Sequence, residues 1–140
     1  LFDFLRTESG WSARGDKPDL VDAITGASVS YGELEGRISG AAHALRATGF
    51  EQGDVLSIHM PNCAEYVIAF LATAALGGTS TTSNPLYTAE ELARQLEDSG
   101  AKITLTTEAF REVATEALSL AGLPAERLRF VEDPECFVNA

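Results

Sequence analysis

The sequence predicts an α/β fold, a Rossmann-like parallel sheet with flanking helices, preceded by a short helix, a β-hairpin and a long helix. Three observations predict it. The run from Asp54 to Asn84 changes hydrophobic period twice in 31 residues, spelling strand, helix, strand. The same alternation continues to Val131, giving four short strands interleaved with three helices, a pattern that builds parallel sheets. Residues suited to N-caps open the segments of helical period, and glycine follows most of them.

In chain order, Leu1 to Trp11 reads as a short helix with Leu1, Phe4 and Leu5 on one side, ended near Gly10. Residues 19–24 and 27–30 read as a hairpin with Thr25-Gly26 as its turn. Ser30 and Glu33 have capping-box spacing before a long helix in which Leu34, Ile38, Ala41, Ala42 and Leu45 keep helical period. Gly49 closes that helix, and Phe50 is placed for the apolar contact that accompanies a glycine C-cap. A boundary near Gly49 to Gly53 would separate residues 1–53 from an alternating β/α region, 54–132.

The segment from Asp54 to Met60 is largely apolar, as expected of a central strand buried on both faces. Asn62 is placed as N-cap of the next helix, with Glu65 three residues on. Tyr66, Val67, Phe70, Leu71 and Ala74 form the stripe expected to face the sheet, so Phe70→Ala is predicted to cost roughly 3–5 kcal/mol. Gly77-Gly78 ends this helix, and Thr79 to Thr82 reads as a buried strand stopped by Asn84-Pro85. Thr88 and Glu91 then cap a helix with Leu92 and Leu96 inward, and Gly100 ends it before a β-branched strand from Lys102 to Thr106. Thr107 is placed to cap a helix carrying Phe110, Val113, Ala114, Ala117 and Leu118, and residues 128–131 form the fourth strand.

A chain of 140 residues fits one domain with a real core. The net charge of −11 argues against nucleic acid and anionic membranes, which attract basic surfaces. No apolar run approaches the roughly 20 residues of a membrane span, and the acidic, short-patterned start does not resemble a signal peptide. Cys63 and Cys136 match no zinc or CxxC spacing, which suits a reducing compartment. The chain begins at Leu1 and ends at Ala140 without a closing element, and so reads as a piece of something longer.

Chemistry has few candidates. Gly77 to Asn84 is rich in glycine and hydroxyls, which can wrap phosphate, but it lacks the lysine of a Walker loop and the spacing of GxGxxG. A helix end followed by a strand is the better reading. His59 and Cys63 could meet at the sheet's carboxyl edge as base and thiol, yet no third group or oxyanion site is evident. His43 reads as a helix-surface residue, and Glu33, Glu65, Glu90 and Glu91 fall in first helical turns where helix electrostatics favour acids. The residues therefore yield a fold and no active site: no catalytic, cofactor-binding or metal residue is assigned.

Several segments together resemble one family in order and spacing. They are Asp16-Lys17-Pro18 with residues 20–22, residues 30–34, Gly49 through Val55, Met60-Pro61-Asn62, Glu65-Tyr66, residues 69–72, Gly77-Gly78, residues 81–85 into 87–91, and residues 95–102. The chain resembles the N-terminal part of the adenylate-forming acyl-CoA synthetases, closest to 4-coumarate–CoA ligase-like enzymes. The resemblance implies a full-length parent that joins a small carboxylic acid to ATP with magnesium, then transfers the acyl group from the adenylate to coenzyme A. The family's phosphate loop, adenine-side motif, ribose-binding aspartate and catalytic lysine lie later in such chains and have no counterpart in these 140 residues. The expectation is thus an inactive scaffold, residues 1–140 of a partial adenylation domain, cytoplasmic or peroxisomal, binding no cofactor alone. The alternative is a non-catalytic α/β binding or interaction module derived from that family.

Overall fold

The computed structural model describes residue 7 and residues 10–132. The helix expected over residues 1–11 therefore lies almost wholly outside the described residues; from Trp11 to Arg14 the chain forms a 3-10 turn.

The hairpin is present as β1 (Pro18–Val21) and β2 (Ser28–Ser30), paired antiparallel. Its turn is longer than the two-residue Thr25-Gly26 link expected. Asp22 organises it: its carboxylate accepts from the N–H groups of Ile24 and Thr25 at 2.8 and 2.7 Å, and its own N–H donates to Ala27 O. An aspartate bonding its neighbours' backbone in this way can replace a tight turn.

Helix α1 (Tyr31–Ala47) opens with the predicted capping box, Ser30 and Glu33 each bonding the other's backbone N–H. Leu34, Ile38, Ala41, Ala42 and Leu45 are its buried residues, and Phe50 beyond Gly49 is fully buried.

The central unit is β3 (Val55–His59), α2 (Ala64–Ala75) and β4 (Thr79–Thr82), with β4 parallel to β3. Two expectations about α2 are corrected. Its N-cap is Cys63 and not Asn62, because Cys63 is still extended (φ −148°, ψ 176°) and the chain turns helical one residue later. Glu65 meets the Arg37 guanidinium on α1 at 3.3 Å, a charged partner in place of a capping N–H. The inward face is Ile68, Ala69, Leu71, Ala72 and Thr73, leaving Phe70 38% exposed. The helix is apolar nearly all round, so its pattern does not select a face. Small Ala69 and Ala72 let the helix axis approach its neighbours closely.

Helix α3 (Ala89–Ser99) has the predicted Thr88–Glu91 capping box and ends at left-handed Gly100. Strand β5 (Ile103–Thr106) is buried throughout. Thr107 caps nothing through its side chain, because a 3-10 turn, Glu108–Phe110, intervenes before α4 (Arg111–Leu120). After α4 comes β6 (Leu128–Phe130).

The sheet order is β4-β3-β5-β6, all parallel, so β3 is central as expected. Strand β4 is at an edge instead of buried, with Thr79 and Thr82 exposed, because β5 takes the other side of β3. Two cores result. One joins Leu34, Ile38 and Leu45 of α1 and Ile68 of α2 to Leu56, Ile58, Ile103 and Leu105 of the sheet. The other gathers Leu92 and Leu96 of α3 with Ala114, Ala117 and Leu118 of α4.

Candidate functional site

In an open parallel sheet ligands favour the carboxyl edge at the point where successive connections diverge. Here the chain leaves β3 through α2 for β4 on one side, and leaves β5 through α4 for β6 on the other. The divergence point therefore lies between the carboxyl ends of β3 and β5, where His59 pairs with Thr106.

That point is filled by this chain's own side chains. His59 is fully buried. Its Nδ1 is 3.0 Å from Ser83 Oγ, and the Phe110 ring packs edge-on against the imidazole with centroids 5.4 Å apart. Thr106 Oγ1 donates to His59 O at 2.6 Å, locking the two strand ends together. His59 Nε2 and Ser57 Oγ, two residues apart on one face of β3, are both buried and have no hydrogen-bond partner. Burial, which disfavours the charged imidazolium, holds His59 below the usual histidine pKa.

The two residues singled out at this edge have different partners. His59 takes Ser83 and Phe110, whereas Cys63 is half-buried with its Sγ 3.8 Å from Met60 Sδ. Burial raises the Cys63 thiol pKa, the opposite of what activates a nucleophile. Ser83 was not singled out from sequence. The signal existed: parallel register sets Ile58 beside Thr82, and one residue further His59 meets Ser83.

The glycine-rich stretch serves packing. Gly77, at φ 72°, follows the C-cap of α2, and a Cβ on Gly78 would stand 2.5 Å from the Phe50 ring. His43 is exposed on α1. Glu33 and Glu91 bond cap backbone, Glu65 faces Arg37, and Glu90 is exposed. Among the described residues no group of three or more His, Cys, Asp or Glu could hold a metal ion.

Triphosphate recognition needs free cations and backbone N–H groups converging on one loop. Lys102 is bound to Asp54 Oδ2 and Gly49 O at 2.6 and 2.7 Å, Arg37 to Glu65, and Arg111 to Glu108. These three cations are committed to partners within the chain. The box at Thr88 takes up the N–H groups of Thr88 and Glu91 at the start of α3.

The comparison with known families places this edge in context. The family described as AMP-binding enzyme matches residues 8–136. The chain belongs to the AMP-binding enzyme family. 4-Coumarate–CoA ligase 3 of Oryza sativa subsp. japonica is 39% identical over 110 residues, covering 79% of this chain and 20% of that protein. 4-Coumarate–CoA ligase 3 of Arabidopsis thaliana is 42% identical over 95 residues, covering 68% of this chain and 17% of that protein. The AMP-binding chain thus spans about a fifth of the length of the curated relatives it matches. Among solved structures, a benzoate CoA ligase from Burkholderia xenovorans LB400 superposes with TM-score 0.84 at 26% identity, covering 99% of this chain and 28% of that one. An anthranilate CoA ligase, AuaEII, solved with anthranoyl-AMP, shares the fold at TM-score 0.76 and 20% identity over 86% of this chain and 22% of that one. No helix among the described residues is long and apolar enough to cross a membrane.

Proposed function

We infer that this chain is the opening section of an ATP-dependent acyl- or aryl-CoA ligase, and that by itself it is catalytically inactive. The observation that supports it most is the family match over residues 8–136 combined with relatives of which the matched segment covers only 20% and 17%. The complete ligase would convert a small carboxylic acid and ATP to an acyl-adenylate and then to a CoA thioester. In that role the residues present supply a scaffold: α1 and α2 clamp one face of the sheet, and the chain's own side chains plug the divergence point between β3 and β5. ATP, magnesium and CoA would be held by the remainder of the ligase, which would also cover the exposed β4 edge. The reading assigns no catalytic, cofactor-binding or metal residue within residues 1–140, and gives the ligase a cytoplasmic or peroxisomal home.

Pyrophosphate release tests it. The 140-residue chain with ATP, magnesium and a panel of aryl and fatty acids should give none above background. The same chain substituted for the matching segment of the rice ligase should support turnover with 4-coumarate. Release by the chain alone would mean that it holds a phosphate site of its own. A folded chimera without activity would deny that this section is a ligase scaffold.

A further inference from the structure

His59 belongs to no reaction assigned above, yet it sits at the one point where β3, β5, the β4–α3 turn and the turn before α4 converge. Its two ring nitrogens have unequal surroundings. Nδ1 shares a proton with Ser83 Oγ at 3.0 Å, whereas Nε2 is buried and has no hydrogen-bond partner. Neutral imidazole needs only one proton here, on Nδ1 toward Ser83, and leaves Nε2 a bare acceptor. Imidazolium has two N–H donors, and the second would point into the interior with nothing to accept it.

Ser83 is where the turn after β4 is fastened. Its N–H donates to Ile58 O at 3.1 Å and its hydroxyl lies 3.4 Å from the same oxygen. Beyond it the turn bonds itself, Leu86 N–H donating to Asn84 Oδ1 at 2.9 Å and Tyr87 N–H to Asn84 O; Leu86 is 85% exposed, and Tyr87 packs against the core of α3 and α4 rather than on the sheet. The segment from Ser83 to Tyr87 is thus attached to the sheet chiefly through Ser83.

We propose that His59 is a pH-sensitive clasp: neutral, it fastens the β4–α3 turn to the end of β3, and on protonation it releases that turn from the sheet. The groups around it supply no compensating charge. Beyond β4 the neighbours are Ser83 and Asn84, and β5 offers the hydroxyls of Thr104 and Thr106. In the turn before α4, Glu108 is exposed and bound to Arg111, whose guanidinium lies over the Phe130 ring of β6 at 3.8 Å. Glu132 beyond β6 accepts from Glu108 N–H. On α3, Glu91, Arg94 and Asp98 border the open groove beside Thr81 and Thr82. On the α2 side Cys63 faces Met60.

The direction follows from linkage. The folded clasp resists protonation, whereas the released imidazole takes a proton near the ordinary histidine value of about 6.5. The clasp is therefore fully closed above that value, and its opening constant rises by up to about tenfold per pH unit below it, until the folded imidazole itself protonates.

Amide hydrogen exchange on the 140-residue chain between pH 8 and pH 5, corrected for intrinsic exchange rates, tests the clasp. Protection at the Ser83 amide should fall by about tenfold per pH unit below about 6.5, while the Ile38 and Ala42 amides of α1 hold theirs. In His59→Asn, which offers Ser83 a partner but cannot titrate, that slope should vanish. Imidazole carbon resonances of the unsubstituted chain give a reading that needs no variant. His59 should titrate below the ordinary histidine value of about 6.5. A His59 curve centred at or above that value, a pH slope unchanged in His59→Asn, or a uniform loss of protection that includes α1 would each overturn the clasp. It stands on this chain alone and does not depend on the ligase reading.

Discussion

Under α1 and α2 the sheet presents Leu56, Ile58, Ile103 and Leu105; on the opposite face the same two strands present Ser57, His59, Thr104 and Thr106, equally buried. Successive residues of a strand point to opposite sides, so one backbone carries two chemistries. The apolar face adheres by burial and needs no particular partner atom. The polar face must bond each group it buries, and does so only in part. Thr106 donates to His59 O and His59 meets Ser83, but Ser57 Oγ and His59 Nε2 are unmatched. An unmade bond of that kind costs about 1–3 kcal/mol.

The helices over the polar face compensate by packing on one another. Leu92 and Leu96 of α3 gather with Ala114, Ala117 and Leu118 of α4 in a core of their own, to which the sheet adds Val55 and Leu128 near its amino end. Polar tethers join this layer to the sheet. Gln95 Nε2 donates to Thr81 Oγ1 at 2.7 Å and to Thr82 O at 2.9 Å, and Phe110 covers His59. What this teaches is that one sheet can have a face that sets stability and a face whose attachments are few, specific and able to respond to conditions.

The comparison is easiest to break on the apolar side. Ile58 of β3 is fully buried in the core that α1 and α2 form on the sheet, so Ile58→Ala should lower unfolding free energy by about 2–5 kcal/mol in urea titration. A loss below about 1 kcal/mol would remove the distinction between the faces, since it would match what surface positions usually show. Phe70 on α2 sharpens the same point, because it is a larger side chain on the outside of the same helix. With 38% of it exposed, Phe70→Ala should cost about 1–2 kcal/mol, under the value its place in the sequence pattern suggests. If Phe70→Ala proved as costly as Ile58→Ala, α2 would have to be rotated from the orientation described.

Phe70 also shows where sequence stops being informative. The boundaries and caps of α1 and α3 were legible at Ser30–Glu33 and Thr88–Glu91, because a capping box is a local bond between residues three apart. The buried set of α1 was legible because that helix has polar residues between its apolar ones. In α2 the residues from Val67 to Leu71 are all apolar, and only the shape of the space between α1 and the sheet decides that Ile68, Ala69 and Leu71 turn inward. The edge position of β4 is likewise a matter of strand order, and nothing within residues 79–82 declares which side of β3 the next strand will take. At the carboxyl edge His59 was visible as a strand-end residue. Its partners Ser83 and Phe110 came from 24 and 51 positions away through register and packing.

Ser57→Ala carries the smallest expected effect and separates the two faces most directly. The hydroxyl is buried on the polar face without a partner, so removing it deletes an unsatisfied group and leaves a space of one oxygen atom. Desolvation relief and the small cavity oppose one another, and the first is the larger when the group makes no bond. Urea titration should therefore find Ser57→Ala unchanged or stabilised by up to about 1 kcal/mol, whereas removing side-chain atoms from its neighbour Ile58 is destabilising. A loss above about 1 kcal/mol on Ser57→Ala would mean that the hydroxyl is bonded in solution, with an internal water shared with His59 Nε2 as the nearest candidate. In that event His59→Asn and Ser57→Ala would be non-additive in a double-mutant cycle, since both would act on the same bound molecule.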